Sequence, residues 1–203
     1  NIFGSEFGDS FVISPGAGET WVQVFGGRGV DSYTINLTGS VRLNFSGDYD
    51  DLNGATQGLV ANLATGVISN DGYGNAETIT VIQGGARLEI NGTDWADNVI
   101  GSAGGEIFLM QGGNDTVDGG GGFDRINYGR PEMTSAVVVD LVAGTATGSW
   151  NGVAFTQFLS NIEEVRGTSN YGDLLRGAAG DEALDGRGGN DTLEGGLGND
   201  PLL

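Results

Sequence analysis

The chain has 203 residues, 40 of them glycine, with 27 acidic and 8 basic side chains, a formal charge of −19, and neither cysteine nor histidine. Disulfides, thiolate or imidazole zinc sites and His-dependent catalytic triads are therefore excluded within it. The charge repels nucleic acid and anionic membrane surfaces, and no apolar run approaches the roughly 20 residues of a helical membrane span.

Glycine at this density serves repeated tight turns, where positive φ or close backbone approach excludes a Cβ. Residues 1–37 give the first sight of a nine-residue unit. GGRGVDSYT (26–34) places Asp31 two residues before Tyr33. The same acid-x-apolar core recurs at Asp9 with Phe11 and at Glu19 with Trp21, but spacings of 10 and 12 break the register. Residues 38–91 read as a strand-rich spacer. GDYDDLNG (47–54), with Asp48, Asp50 and Asp51, reads as an exposed acidic loop, and VANLATGVIS (60–69) alternates as a half-buried strand does.

Residues 92–131 form the first full array. Asp97, Glu106, Asp115 and Asp124 fall nine apart, each followed at the second residue by an apolar one: Val99, Phe108, Val117 and Ile126. Gly104, Gly113, Gly119, Gly120 and Gly122 belong to the clusters before the acids, and GGGGFDRIN (119–127) matches the template G-G-x-G-x-D-x-U-x, with U apolar, at every fixed position. Residues 132–167 are a second spacer in which VVDLVAGTATG (138–148) resembles the earlier alternating stretch. Within it, TQFLSNIEEVRG (156–167) reads as a helix or as a strand and turn, and the Glu163–Glu164 pair as solvated charge. Residues 168–203 repeat the array with Asp173, Glu182, Asp191 and Asp200, their partners Leu175, Leu184, Leu193 and Leu202, and turn glycines Gly180, Gly186, Gly189, Gly195 and Gly198. Each acid lies 76 residues after its counterpart, the Glu in second place included, which points to duplication of a larger block. The chain starts at Asn1 and ends in GNDPLL, inside a repeat, so it reads as a piece of a longer protein.

A nine-residue unit divides into a Gly-rich turn and a short strand with one inward side chain, the U position. Two units make one coil, so residues 18 apart stack at the strand spacing of roughly 4.8 Å. Asp97 then stacks on Asp115, Glu106 on Asp124, Asp173 on Asp191 and Glu182 on Asp200. Bare carboxylates so placed repel. With turn carbonyls aimed at the same place, they offer the six or more oxygens that suit calcium better than magnesium, and binding energy becomes folding energy. The prediction is an all-β chain, one continuous parallel β-roll or β-helix (a solenoid), with Ca2+ held in Gly/Asp-rich turns. Four units per array give about two stacked sites each. Asp94, Asp118, Asp181 and Asp185 are expected only to raise the local negative potential. Phe11, Trp21, Tyr33, Phe108 and Tyr128 read as core or capping residues, with Trp95, Trp150 and Tyr171 as candidates for sugar contact.

The nonapeptide resembles the repeat of the RTX (repeats-in-toxin) proteins exported by bacterial type I secretion. The resemblance is strong over residues 94–127 and 169–203 and looser before them. It implies a right-handed parallel β-roll with calcium between successive turns on both edges, and a chain that stays unfolded in the calcium-poor cytosol and folds outside the cell or at its surface. The role implied is structural, secretory or adhesive, as in adhesins or S-layers, with no catalytic residues in this chain. The alternative is an accessory region of a secreted polysaccharide-modifying enzyme, lipase or protease. Expected partners are calcium ions, then cell-surface polysaccharide or further copies of the chain. Departures from the pattern are the Glu at 106 and 182, whose extra methylene moves the carboxylate, the Gln111–Gly112 shift, and Pro201 in the last strand.

Overall fold

The computed structural model describes residues 1–16, 21–47 and 54–203, and these contain strands and turns but no helix. Glu19, Asp48, Asp50 and Asp51 lie outside the described residues. Many strands are only three residues long with the apolar one in the middle, as in Asn98–Ile100, Thr116–Asp118 and Arg125–Asn127. The flanking side chains point outward and the central one inward, so Val99, Val117 and Ile126 are fully buried.

Strands go alternately to two sheets. One has eight strands: β1 (Ile2–Phe3), β3 (Val22–Phe25), β5 (Val41–Asn44), β9 (Leu88–Asn91), β11 (Glu106–Leu109), β13 (Arg125–Asn127), β17 (Glu164–Arg166) and β19 (Ala183–Asp185), paired in that order, every pair parallel. The other has twelve, in the order β2 (Ser10–Ile13), β4 (Ser32–Asn36), β8 (Glu77–Ile82), β7 (Val67–Asp71), β6 (Leu59–Asn62), β10 (Asn98–Ile100), β12 (Thr116–Asp118), β16 (Val153–Ser160), β15 (Thr145–Trp150), β14 (Val138–Asp140), β18 (Leu174–Arg176) and β20 (Thr192–Glu194). In the array regions the register is 18 residues, as with Val99 opposite Val117 and Leu175 opposite Leu193.

The two spacers are the only antiparallel parts of the described sheets. Each is a three-strand meander, β6–β7–β8 and β14–β15–β16, laid into the second sheet in reverse order. The run β6 to β12 thus has the same strand sequence as β14 to β20, so the duplication read from the acids extends to the spacers, where Ala61 opposite Val99 corresponds to Val139 opposite Leu175. Residues 156–167 are strand, turn and strand, not helix. Both sheets feed one apolar core, from Phe11 and Val24 through Phe108 and Ile126 to Leu175 and Leu184. Trp150 is buried in it, while Trp21, expected inside, is about half exposed beneath the Arg42 guanidinium.

Candidate metal-binding edges

Each array acid but Asp200, which precedes the isolated Leu184–Leu202 bridge, sits at or just before the first residue of its strand, so parallel strand pairing brings acids 18 residues apart together. Along the twelve-stranded sheet the amide of Leu59 donates to Asp97 Oδ1 at 2.7 Å, and the amide of Asp97 donates to Asp115 Oδ1 at 2.9 Å. The second block repeats this: Val137 N donates to Asp173 Oδ1 and Asp173 N to Asp191 Oδ1, both at 2.8 Å. Along the eight-stranded sheet Glu106 N donates to Asp124 Oδ1 at 2.6 Å and Glu182 N to Asp200 Oδ1 at 3.0 Å. Asp9 N donates to Asp31 Oδ1 at 2.8 Å although 22 residues separate them, because β2 and β4 pair in register across the insertion. All four predicted pairs, and the weaker N-terminal one, are therefore brought together.

Each acid is also tied to its own turn. Thr93 N and Oγ1 donate to the two oxygens of Asp97 at 2.9 and 2.7 Å, and Thr168 does the same for Asp173. The glutamates are held in the same way: Ser102 N and Oγ reach Glu106 at 2.9 and 2.5 Å, and Ala178 N and Gly180 N reach Glu182 at 2.9 and 3.0 Å.

The glycines split into two groups. Gly113, Gly120, Gly122, Gly189 and Gly198 have positive φ, whereas Gly104, Gly119, Gly180, Gly186 and Gly195 do not. In the second group a Cβ at Gly119, Gly180, Gly186 or Gly195 would collide with a neighbouring acid, and at Gly104 with the Gln83 side chain; at Gly119 it would stand 1.9 Å from the Asn161 carbonyl oxygen and 2.9 Å from Asp124 Oδ2. At those four the carboxylate stands where the side chain is missing, joined at Gly119 by a carbonyl oxygen.

Asp31, Asp97, Glu106, Asp115, Asp124 and Asp173 are at most 2% exposed and Glu182 is 6%. Burial pushes Asp97 up to about 7, and it pushes Asp115, with the negative charge of Asp97 adding to it, up to about 8. Asp124 is pushed up to about 7 by burial and by Glu106 and Glu163, although the Glu106 amide and Arg87 oppose the shift. Burial also raises Asp31, Glu106 and Asp173. Asp124 Oδ2 is buried with no hydrogen-bond partner, an orphan acceptor beside the Gly119–Asn161 carbonyl cradle. Among the described residues no three His, Cys, Asp or Glu side chains form a ready-made cluster. A cation here would draw on a carboxylate pair and main-chain carbonyls, an all-oxygen donor set of the kind hard cations take. The residues fit calcium on that chemistry.

Three rungs of these lines were not read from the sequence. Glu77 follows Asp31, Gln157 follows Asp115, and Glu163 follows Asp124, where its Oε2 accepts the Asp124 amide at 2.9 Å. All three carry the acid-x-apolar spacing with Ile79, Leu159 and Val165, Gln standing for the acid at 157. The meanders destroy the count of nine that would have revealed them. The Glu163–Glu164 pair is not solvated charge. Glu164 pairs with Arg87 at 2.8 Å and Arg125 at 2.5 Å; burial alone would raise it, but the two guanidinium groups hold it below the usual carboxylate range.

The acids beside the ligand series are also engaged rather than idle. Asp94 accepts the Trp150 indole N–H at 2.9 Å, Asp118 the Gly120 amide at 3.0 Å, Asp181 the Asn199 amide at 2.9 Å, and Asp185 pairs with Arg166 at 3.1 Å. Trp95 and Tyr171 are exposed, so of the three aromatic candidates for sugar contact only Trp150 is removed. Among the described residues no helix is long and apolar enough to cross a membrane. No family model and no curated protein matches the chain.

Proposed function

We propose that this chain is a calcium-binding β-roll of the RTX type, a right-handed parallel solenoid that folds on calcium outside the cell and serves a structural, secretory or adhesive role without catalysis of its own. The observation that carries the reading is the set of stacked, largely buried acid pairs at 18-residue spacing: Asp97 with Asp115, Glu106 with Asp124, Asp173 with Asp191 and Glu182 with Asp200. A chain of charge −19 that buries carboxylates in pairs needs a counter-charge.

Asp115, Asp124, Asp191 and Asp200, with the acids stacked on them and the turn carbonyls, would hold the ion. Bound calcium supplies positive charge and a shared coordination centre between coils. The chain's own residues do the rest. The glycines let coils approach, Thr93, Thr168 and Ser102 fix the carboxylates, and the U residues close the core. Each strand buries so little apolar surface that coil-to-coil linkage has to add to it. Far-UV circular dichroism on the calcium-stripped chain tests the reading. Millimolar calcium is expected to restore β-structure reversibly, and a spectrum indifferent to calcium and chelator overturns it.

A further inference from the structure

The two halves of the twelve-stranded sheet each contain a buried polar cluster, built on a Glu in one and on a Gln at the equivalent rung in the other. Glu77 takes the rung after Asp31, and Gln157 takes the equivalent rung after Asp115. Each is joined by a buried phenol: Tyr33 Oη lies 3.4 Å from both Asp31 Oδ2 and Glu77 Oε1, and Tyr128 Oη donates to Gln157 Oε1 at 2.7 Å. In the Gln157 cluster the accounts close. Nε2 donates to Asp115 Oδ2 at 2.6 Å and to the Met110 carbonyl at 3.3 Å, leaving one negative charge with every polar atom partnered.

In the Glu77 cluster they do not. An ionised Glu77 has no hydrogen to donate to Asp31, and Tyr33 has one hydrogen for two carboxylates. Glu77 is 3% exposed, and its Oε2 is buried without a partner. Asp71, 2% exposed, lines the same cavity, which also touches Gly26, Tyr33, Asn44 and Glu77 and has a volume of about 10 Å3. That is room for about one water-sized sphere. A Cβ on Gly26 would stand 2.6 Å from Asp31 Oδ2 and 2.0 Å from Tyr33 Oη, so the wall is backbone pressed against oxygens. Among the described residues no ion pair joins an arginine to Asp31, Asp71 or Glu77. Asp31 accepts the Asp9 amide, and Asp71 accepts the Tyr73 and Asn75 amides and the Asn75 side-chain amide, so Glu77 Oε2 is the unpartnered oxygen. Three buried carboxyl groups without a counter-ion are too costly to leave charged.

We propose that Asp31, Asp71 and Glu77, which do not stand as a preformed cluster, close on a divalent cation, calcium, in the place where the second half of the chain uses the Gln157 amide. The site shares only Asp31 with the stacked pairs and does not require the nonapeptide arrays to bind. Calorimetric titration of calcium into the calcium-stripped full chain and its E77Q variant tests it. Glutamine already occupies the equivalent rung, so E77Q is expected to fold, to bind one ion fewer, and to be less dependent on calcium for its β-structure. Equal stoichiometry in the two proteins overturns the site; so does an effect of E77Q on pH dependence alone, which would mean a shared proton. If the arrays bind nothing, the native chain still takes up the one ion that E77Q loses. A second measurement uses terbium in place of calcium. Tyrosine-sensitised emission is expected to fall in Y33F, and unchanged emission overturns the placement beside Tyr33.

Discussion

The second residue of a nonapeptide turn is held left-handed: Gly120 at φ 85°, Gly196 at φ 101° and, in the unit 186–194, Arg187 at φ 64°. A Cβ in that region costs roughly 1–2 kcal/mol. Arg187→Gly is therefore expected to raise the unfolding free energy by about 1 kcal/mol in calcium, even after the greater freedom glycine gives the unfolded chain; urea unfolding measures it, and a loss of stability contradicts it. Gly122 is the converse. Its φ is 122°, and a Cβ would meet the Gly104 carbonyl oxygen at 2.5 Å, so Gly122→Ala is expected to cost about 1–3 kcal/mol by the same measurement. At this scale the sequence was legible wherever the count of nine held. It exposed all eight array acids, and it lost Glu77, Gln157 and Glu163 because hairpins of variable length precede them. The partners of Glu164 could not be read at all: Arg87 lies 77 residues away, and only the sheet register brings it near.

The strands show why the core reads so clearly from so little. One inward residue per short strand makes the U position unambiguous, and Val117, Ile126, Val165 and Leu184 are all fully buried. Ile126→Ala is expected to cost about 2–5 kcal/mol, because neighbouring coils stack on both sides and cannot collapse into the gap; a cost under about 1 kcal/mol would show that the stack relaxes. The spacers were legible as strands by their alternation. Their antiparallel, reversed insertion was not, since alternation fixes which face a residue occupies and says nothing of which neighbour the strand chooses. Trp150 illustrates the same limit: it looked free for sugar, but the β14–β15–β16 meander turns it into the core, with its N–H on Asp94.

Across the whole molecule the raised acids set the response to pH. Asp97, Asp115 and Asp124, at about 7, 8 and 7 in the folded chain, start from roughly 4 when unfolded. Their protonated forms favour the fold. The calcium-free protein is thus expected to keep that stabilisation below about pH 4 and to lose it as pH rises through 7 to 8. Calcium competes with those protons, so its affinity is expected to rise over the same interval. Far-UV circular dichroism of the calcium-stripped chain at pH 5 and pH 8 checks the first statement, with more β-structure expected at pH 5; more β-structure at pH 8 contradicts it. The most direct test of the proposal that calcium staples the fold is the dependence of the unfolding free energy on free calcium at fixed pH. If folding and binding are one event, stability rises by about 1.4 kcal/mol per tenfold calcium for each ion linked, with a slope of several ions. A chain equally stable at every calcium concentration would contradict the account.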